Sequence, residues 1–147
     1  MAKTDLSYEA AHTVQDSCVC FNLQRAARSM ARRYDEMLRP SGLSSGQFSL
    51  MMLLMRPHPP TISALASELS MDRTTLTALL KPLQRRRLVE TAVGKDDRRQ
   101  RHLTLTTEGR RALRIGFPLW QSVQKKTEEI AGASAVSKML AALQPYV

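Results

Sequence analysis

Apolar residues recur at three- and four-residue steps along most of this chain, the spacing of helices buried on one face. From Ser17 to Leu38 the stripe is Val19, Leu23, Ala26, Met30, Tyr34 and Met37, and it predicts a helix there. Residues 1–15 carry no comparable stripe and read as a loose lead-in. Pro40 and Gly42 break the pattern. Ser44 with Gln47 three residues on has capping-box spacing. A second helix is expected from about Ser45 to Met55, with Phe48, Met51, Met52 and Met55 clustered, before "RPHPP" ends it. Ile62, Leu65, Ala66 and Leu69 mark a short amphipathic helix. The turn "SMD" offers two N-caps, Ser70 or Asp72. A further helix is expected from about Arg73 to Arg87, with Leu76, Leu79, Leu80 and Leu83 buried. Arg73, Thr74, Thr77, Lys81 and Arg85 lie on its other side, and Pro82 argues against perfect regularity.

The period then changes. "LVETAV" (88–93) and "RHLTLT" (101–106) alternate as strands do, and Gly94 with "KDDRRQ" joins them as a β-hairpin. Two short helices with a tight turn read as a helix-turn-helix, whose second helix enters the major groove of DNA. A hairpin directly after it is a wing. Beyond the hairpin, Thr106 is a good N-cap, with Glu108 in the first turn of a long helix to about Ala131. Gly116 and Pro118 should kink that helix. Ser134 opens a last helix carrying Val136, Met139, Leu140 and Leu143. The fold class is mainly α with a small β-hairpin wing.

Charge gives the pattern a partner. The 147 residues carry a net charge of +9. Between Lys81 and Arg111 ten Lys/Arg face four Asp/Glu, so this stretch alone holds +6 of it. Such concentration points to a polyanion, nucleic acid before membrane. Arg and Lys reach guanine O6 and N7, while Thr hydrogen-bonds or touches the thymine methyl. A hairpin tip is narrow enough for the minor groove, where negative potential favours arginine. Asp96 and Asp97 would offset the crowding of arginines there and hold one guanidinium in place.

Other classes fit less well. The chain has no GxSxG, HExxH, GxGxxG or phosphate-binding glycine loop, so an enzyme is not expected. His12, His58 and His102 are far apart, and His12, Cys18 and Cys20 lack zinc-finger spacing, so neither metal nor cofactor is implied. No stretch approaches ~18 apolar residues, which speaks against a membrane span. Cys18 and Cys20 cannot bridge each other on a helix, and a reducing cytoplasm is expected. A basic module for RNA or an anionic membrane would explain the charge. It would not explain a capped helix-turn-helix followed at once by a charged hairpin.

The run "LASELSMDRTTLTALLKPLQRRRLVETAVGKDDRRQRHLTLTTEGRR" resembles the winged-helix core of the MarR (multiple antibiotic resistance regulator) family. "DRTTLTALLKPLQRRRLVE", Asp97-Arg98-Arg99 and "LTLTTEG" carry the likeness, which extends from about Ser17 to the end. It implies one MarR-type domain over 1–147, with a DNA-binding lobe at about 45–106 and dimerisation helices at about 10–40 and 107–147. It implies a homodimer on a palindromic double-stranded DNA operator, usually as a repressor. By the same resemblance Arg99 is the wing-tip arginine of the minor groove and Asp97 the carboxylate that orients it. Arg73, Thr75 and Thr77 face bases or phosphates, Lys81 and Arg85 face phosphate, and Ser63, Thr74, Arg98 and Arg101 join them as DNA contacts.

The family also implies a signal. Many members bind a small, often aromatic, carboxylate or phenol between the dimer helices and the DNA-binding lobe. Phe48, Met52, Phe117 and Trp120 are the candidate walls, and Arg25 or Arg28 would take the carboxylate. An organic-hydroperoxide-sensing branch is the alternative, because Cys20 sits where that branch keeps its reactive cysteine and Tyr34 matches a tyrosine that hydrogen-bonds it. The two are separated by about 21 Å of helix, so they would meet only across a dimer. Gln24 and Ser45 stand where that branch has its other partner tyrosines, which leaves the thiol with half its activating shell.

Overall fold

A computed structural model describes residues 6–94 and 97–147. Lys95 and Asp96, both in the charged hairpin loop, lie outside the described residues. The chain falls into two compact units, residues 1–33 and 34–147.

The first unit corrects one expectation. The lead-in is a helix, α1 (Tyr8–Ser17), capped by the Ser7 hydroxyl, which accepts from the Ala10 N–H at 3.2 Å. None of its residues is buried, which is why no stripe betrayed it. Cys18 is extended (φ −71°, ψ 109°) and separates α1 from α2 (Val19–Leu38). The Asn22 amide donates to the carbonyls of Gln15 and Cys18, both at 3.0 Å, and ties the start of α2 to the end of α1.

In the second unit the end of α2 passes through a 3-10 turn (Arg39–Ser41) to α3 (Ser45–Leu53). The Ser44–Gln47 capping box forms in full. α4 (Ile62–Glu68) and α5 (Arg73–Arg85) follow, then β1 (Val89–Val93), β2 (Arg101–Leu105), α6 (Thr107–Ala131) and α7 (Ala133–Leu143). Of the two possible caps, Asp72 opens α5, and Ser70 takes a left-handed conformation in the turn (φ 50°). α5 runs through Pro82 and ends two residues earlier than expected; Arg87 (φ 55°) turns the chain toward β1. α6 runs through Gly116 and Pro118 without a break. Leu38, Leu50, Met51, Leu65, Leu76, Leu80, Leu83 and Leu103 are fully buried and join α2, α3, α4, α5 and β2 in one core.

The hairpin pairs antiparallel from Val89–Leu105 to Val93–Arg101. Two strands alone are marginal in water, and here a third segment supports them. The Leu103 N–H donates to the Pro60 carbonyl at 3.0 Å, and Thr61 bridges His102. The His102 Nδ1 lies 3.0 Å from the Pro59 carbonyl, which only accepts, so Nδ1 carries the proton. Arg56 fastens this segment to α4 through two bonds to Glu68, at 2.9 and 3.0 Å. On the opposite side the Gln84 amide of α5 donates to the Thr91 hydroxyl at 2.8 Å.

The base of the hairpin meets α6 at Gly109. A Cβ there would lie 2.1 Å from the Leu88 carbonyl oxygen. That oxygen also accepts from the Thr106 N–H at 3.1 Å, so it cannot retreat without losing the join. Gly109→Ala is expected to destabilise by about 3 kcal/mol through overpacking. At Gly46 a Cβ would only graze Leu79 at 3.9 Å, so Gly46→Ala should instead stabilise by roughly 0.5–1 kcal/mol. Urea denaturation of the two variants checks both signs.

Candidate nucleic-acid interface

The recognition element starts at Asp72. Its Oδ1 accepts from the Thr75 N–H at 2.8 Å and its Oδ2 from the Thr75 hydroxyl at 2.6 Å. The carboxylate therefore fixes where α5 begins and how its first turn faces. The Thr75 hydroxyl and then the Thr75 N–H hold the Asp72 carboxyl below its ordinary value of 3.8. One turn on, the Thr77 hydroxyl donates to the Arg73 carbonyl at 2.7 Å. At 100° per residue, Thr74, Ala78, Lys81 and Arg85 lie opposite the buried Leu76, Leu80 and Leu83. Thr77 flanks that outward stripe on the side of Arg73, and Thr75 flanks it on the other.

The hairpin tip is closed by its own backbone. Gly94 N–H donates to the Gln100 carbonyl and Gln100 N–H to the Asp97 carbonyl, both at 3.0 Å. Asp97 Oδ1 accepts the backbone N–H of Arg99 at 2.9 Å. So the carboxylate shapes the loop beneath Arg99, rather than gripping its guanidinium as the sequence led us to expect. Arg98 and Arg99 are both exposed in the turn.

The two parts converge. Thr61, Ile62, Ser63, Arg73, Arg99, Gln100 and Arg101 line one cleft of about 310 Å³. Three arginines and two hydroxyl-bearing residues line it, and none of the described residues in its lining is acidic. Among the described residues the ion pairs are Arg56–Glu68 and Lys125–Glu129, so no described carboxylate pairs these arginines. Of the residues expected to contact DNA, Ser63, Arg73, Arg99 and Arg101 are thus gathered at one place. Thr74, Lys81 and Arg85 extend the basic face along α5. A larger groove of about 680 Å³ behind the hairpin contains Arg87, but it also has Glu90 and Glu108 in its lining. That mix suits a polyanion less well.

A separate apolar cleft of about 310 Å³ is lined by Phe48, Ser49, Met52, Leu53, Phe117 and Trp120. All four residues expected as effector walls meet there. Trp120 stacks near Phe117 (centroids 5.7 Å, planes 20°) and Phe48 (6.4 Å, 21°). Met52 and Phe117 are shared with an adjoining cleft of about 350 Å³ that adds Met55, Leu113, Arg110 and Arg114. Those two arginines were not singled out in the sequence, where they look like the polar face of a long helix. Arg110 spends one N–H on the Met55 sulfur at 3.3 Å, a weak acceptor. Arg25 and Arg28 belong to the first unit, on an exposed face of α2 with Arg32, and Arg25 lies over the Phe21 ring at 5.4 Å.

Cys20 is exposed, and its sulfur accepts from the Gln24 amide at 3.4 Å. In the second unit the Tyr34 hydroxyl donates to Gln124 at 2.7 Å.

The Asp72 cap makes a pH prediction. A depressed folded pKa gives stability that is present above the unfolded value and is lost as pH falls through the folded one. The melting temperature should therefore drop as pH falls below about 4, and Asp72→Asn should flatten that part of the drop. Thermal melts of both proteins over this range check it.

The MarR family model matches residues 41–100. The HTH-type transcriptional regulator TtmR of Methylorubrum extorquens (strain PA1) is 33% identical over 95 residues, 65% of this chain and 49% of its own length, so the chain spans about half of that relative. The organic hydroperoxide resistance transcriptional regulator of Bacillus subtilis (strain 168) is 26% identical over 98 residues, 67% of each chain. Among solved structures, the transcriptional regulator MosR of M. tuberculosis in complex with DNA is similar at a TM-score of 0.77 and 38% identity, over 86% of this chain and 93% of that one. On the family model and that near full-length likeness, the chain belongs to the MarR family, with its winged-helix fold.

Proposed function

We propose that this protein is a transcriptional regulator that binds a palindromic DNA operator as a homodimer and represses from it. The observation that carries the reading is the cleft where Arg73 of α5, Ser63 of α4, and Arg99 and Arg101 of the hairpin converge, with no acidic residue among its described lining. A helix start and a hairpin tip that share one basic cleft suit a duplex, whose major groove takes the helix and whose flanking minor groove takes the tip. The likeness to MosR, crystallised with DNA, supports it.

Both units leave large apolar side chains in water, among them Val19 (70% exposed) and Ile130 (71%). Covering them is a reason to dimerise, and two recognition helices then address half-sites about 34 Å apart. The effector we favour is a small aromatic carboxylate. Its ring would lie against Phe117 and Trp120, and its charge would face Arg110 and Arg114 rather than Arg25 or Arg28. A second reading draws on the exposure of Cys20: an organic hydroperoxide would oxidise the thiol to a sulfenic acid, releasing the alcohol.

Arg99→Ala should weaken operator binding by about 1–3 kcal/mol with an unchanged melting curve. An unaltered affinity would remove Arg99 from the interface. Cys20→Ser separates the two signals. Under the favoured reading it binds operator normally, and an aromatic acid still releases it. Under the second, organic peroxide releases the native protein and fails on the variant.

A further inference from the structure

Three threonines open the outward side of α5, and their hydroxyl groups are not equivalent. A threonine hydroxyl has one hydrogen to donate. Thr75 gives its hydrogen to the Asp72 carboxylate at 2.6 Å, and Thr77 gives its own to the Arg73 carbonyl at 2.7 Å. Both acceptors can only accept: a backbone carbonyl has no hydrogen, and Asp72 is held ionised by the bonds it receives. The direction of each bond is therefore fixed. Hydrogen bonds to an ionised group are roughly twice as strong as neutral ones, so Thr75 is the more firmly committed. The Thr74 hydroxyl makes no hydrogen bond among the described residues, and Thr74 lies on the outward stripe with Lys81 and Arg85.

Base edges reward this difference. Guanine N7 and O6, adenine N7 and thymine O4 are acceptors and need a donor, whereas the thymine methyl needs only an apolar contact. We propose that, of these three residues, Thr74 alone reads bases by donating a hydrogen bond, while Thr75 and Thr77 present methyl groups and favour thymine. The inference rests on the DNA-binding reading above and deepens it. The hydroxyl hydrogens of Thr75 and Thr77 are committed to acceptors in the protein, so a base acceptor finds no donor at either position and the methyl group is the contact left for thymine.

The probe is a duplex enriched from a random-sequence library by the native protein. Val replaces the threonine hydroxyl with a methyl of similar size. Thr74→Val should lose about tenfold or more on the enriched duplex, and Thr77→Val and Thr75→Val, which keep a methyl group, should keep the native protein's dependence on thymine. Replacing thymine by uracil, position by position, should weaken the native protein at some step, and Thr77→Ser or Thr75→Ser should no longer feel that change. Melting curves establish that each variant is folded. A folded Thr74→Val that loses nothing, or folded Thr77→Ser and Thr75→Ser that still feel every thymine-to-uracil change, would overturn the assignment and leave DNA binding intact. Failure of the native protein to enrich any duplex would overturn the DNA-binding reading, and this inference with it.

Discussion

The basic face exists because the hairpin is held on its outer edge. Leu103 and His102 of β2 bond to the carbonyls of Pro60 and Pro59, and Thr61, the last residue before α4, bridges to the same strand. A free hairpin of five-residue strands would swing on its two connections. Pinned here, with Gln84 bonding Thr91 from α5 and the Gly109 crossing closing its base, it brings Arg99 and Arg101 beside Arg73. Three like charges repel, and no described carboxylate pairs them. The packed core of leucines beneath sustains an arrangement that electrostatics alone would spread apart, and a polyanion would relieve it.

The same economy of bonds shapes the recognition helix. One carboxylate, Asp72, sets the helix start, orients Thr75 and consumes its hydroxyl hydrogen. On the proposed reading, capping and base selection are two results of a single local geometry. The wing tip works alike: Asp97 spends its oxygen on the Arg99 backbone, so the loop is shaped and the guanidinium stays open to solvent. In both places an acid in the middle of a basic surface orders backbone and leaves the cations available.

Much of this was legible in the residue pattern, because local chemistry determines it. Ser44 with Gln47, Asp72, and Thr106 each announce a helix start, and each caps the helix beginning after it. The alternation at 89–93 and 101–105 marked the hairpin, and Phe48, Met52, Phe117 and Trp120 do share a cleft. What escaped depends on tertiary placement or on the absence of burial. α1 buries nothing, so no periodicity exposed it. "RPHPP" reads as a helix breaker, and its second job as a strand partner appears only once β2 lies beside it. The acid–arginine proximity at Asp97 is visible in sequence, but which atoms bond is not. Arg110 and Arg114 look like ordinary solvated charges until α6 lies beside Met52 and Met55.

The central claim is that the convergence of α5 and the hairpin recognises duplex DNA by sequence and not by charge alone. Its most direct test is an equilibrium titration, at near-physiological salt, of the native protein against duplexes tiled across the DNA flanking its own gene. A shuffled duplex of equal length and composition serves as the control. The account predicts one fragment bound about 10³-fold or more tighter than the shuffled control, with the preference surviving added salt. Equal affinity for every duplex, falling in parallel as salt rises, would contradict it and leave a basic surface without a code.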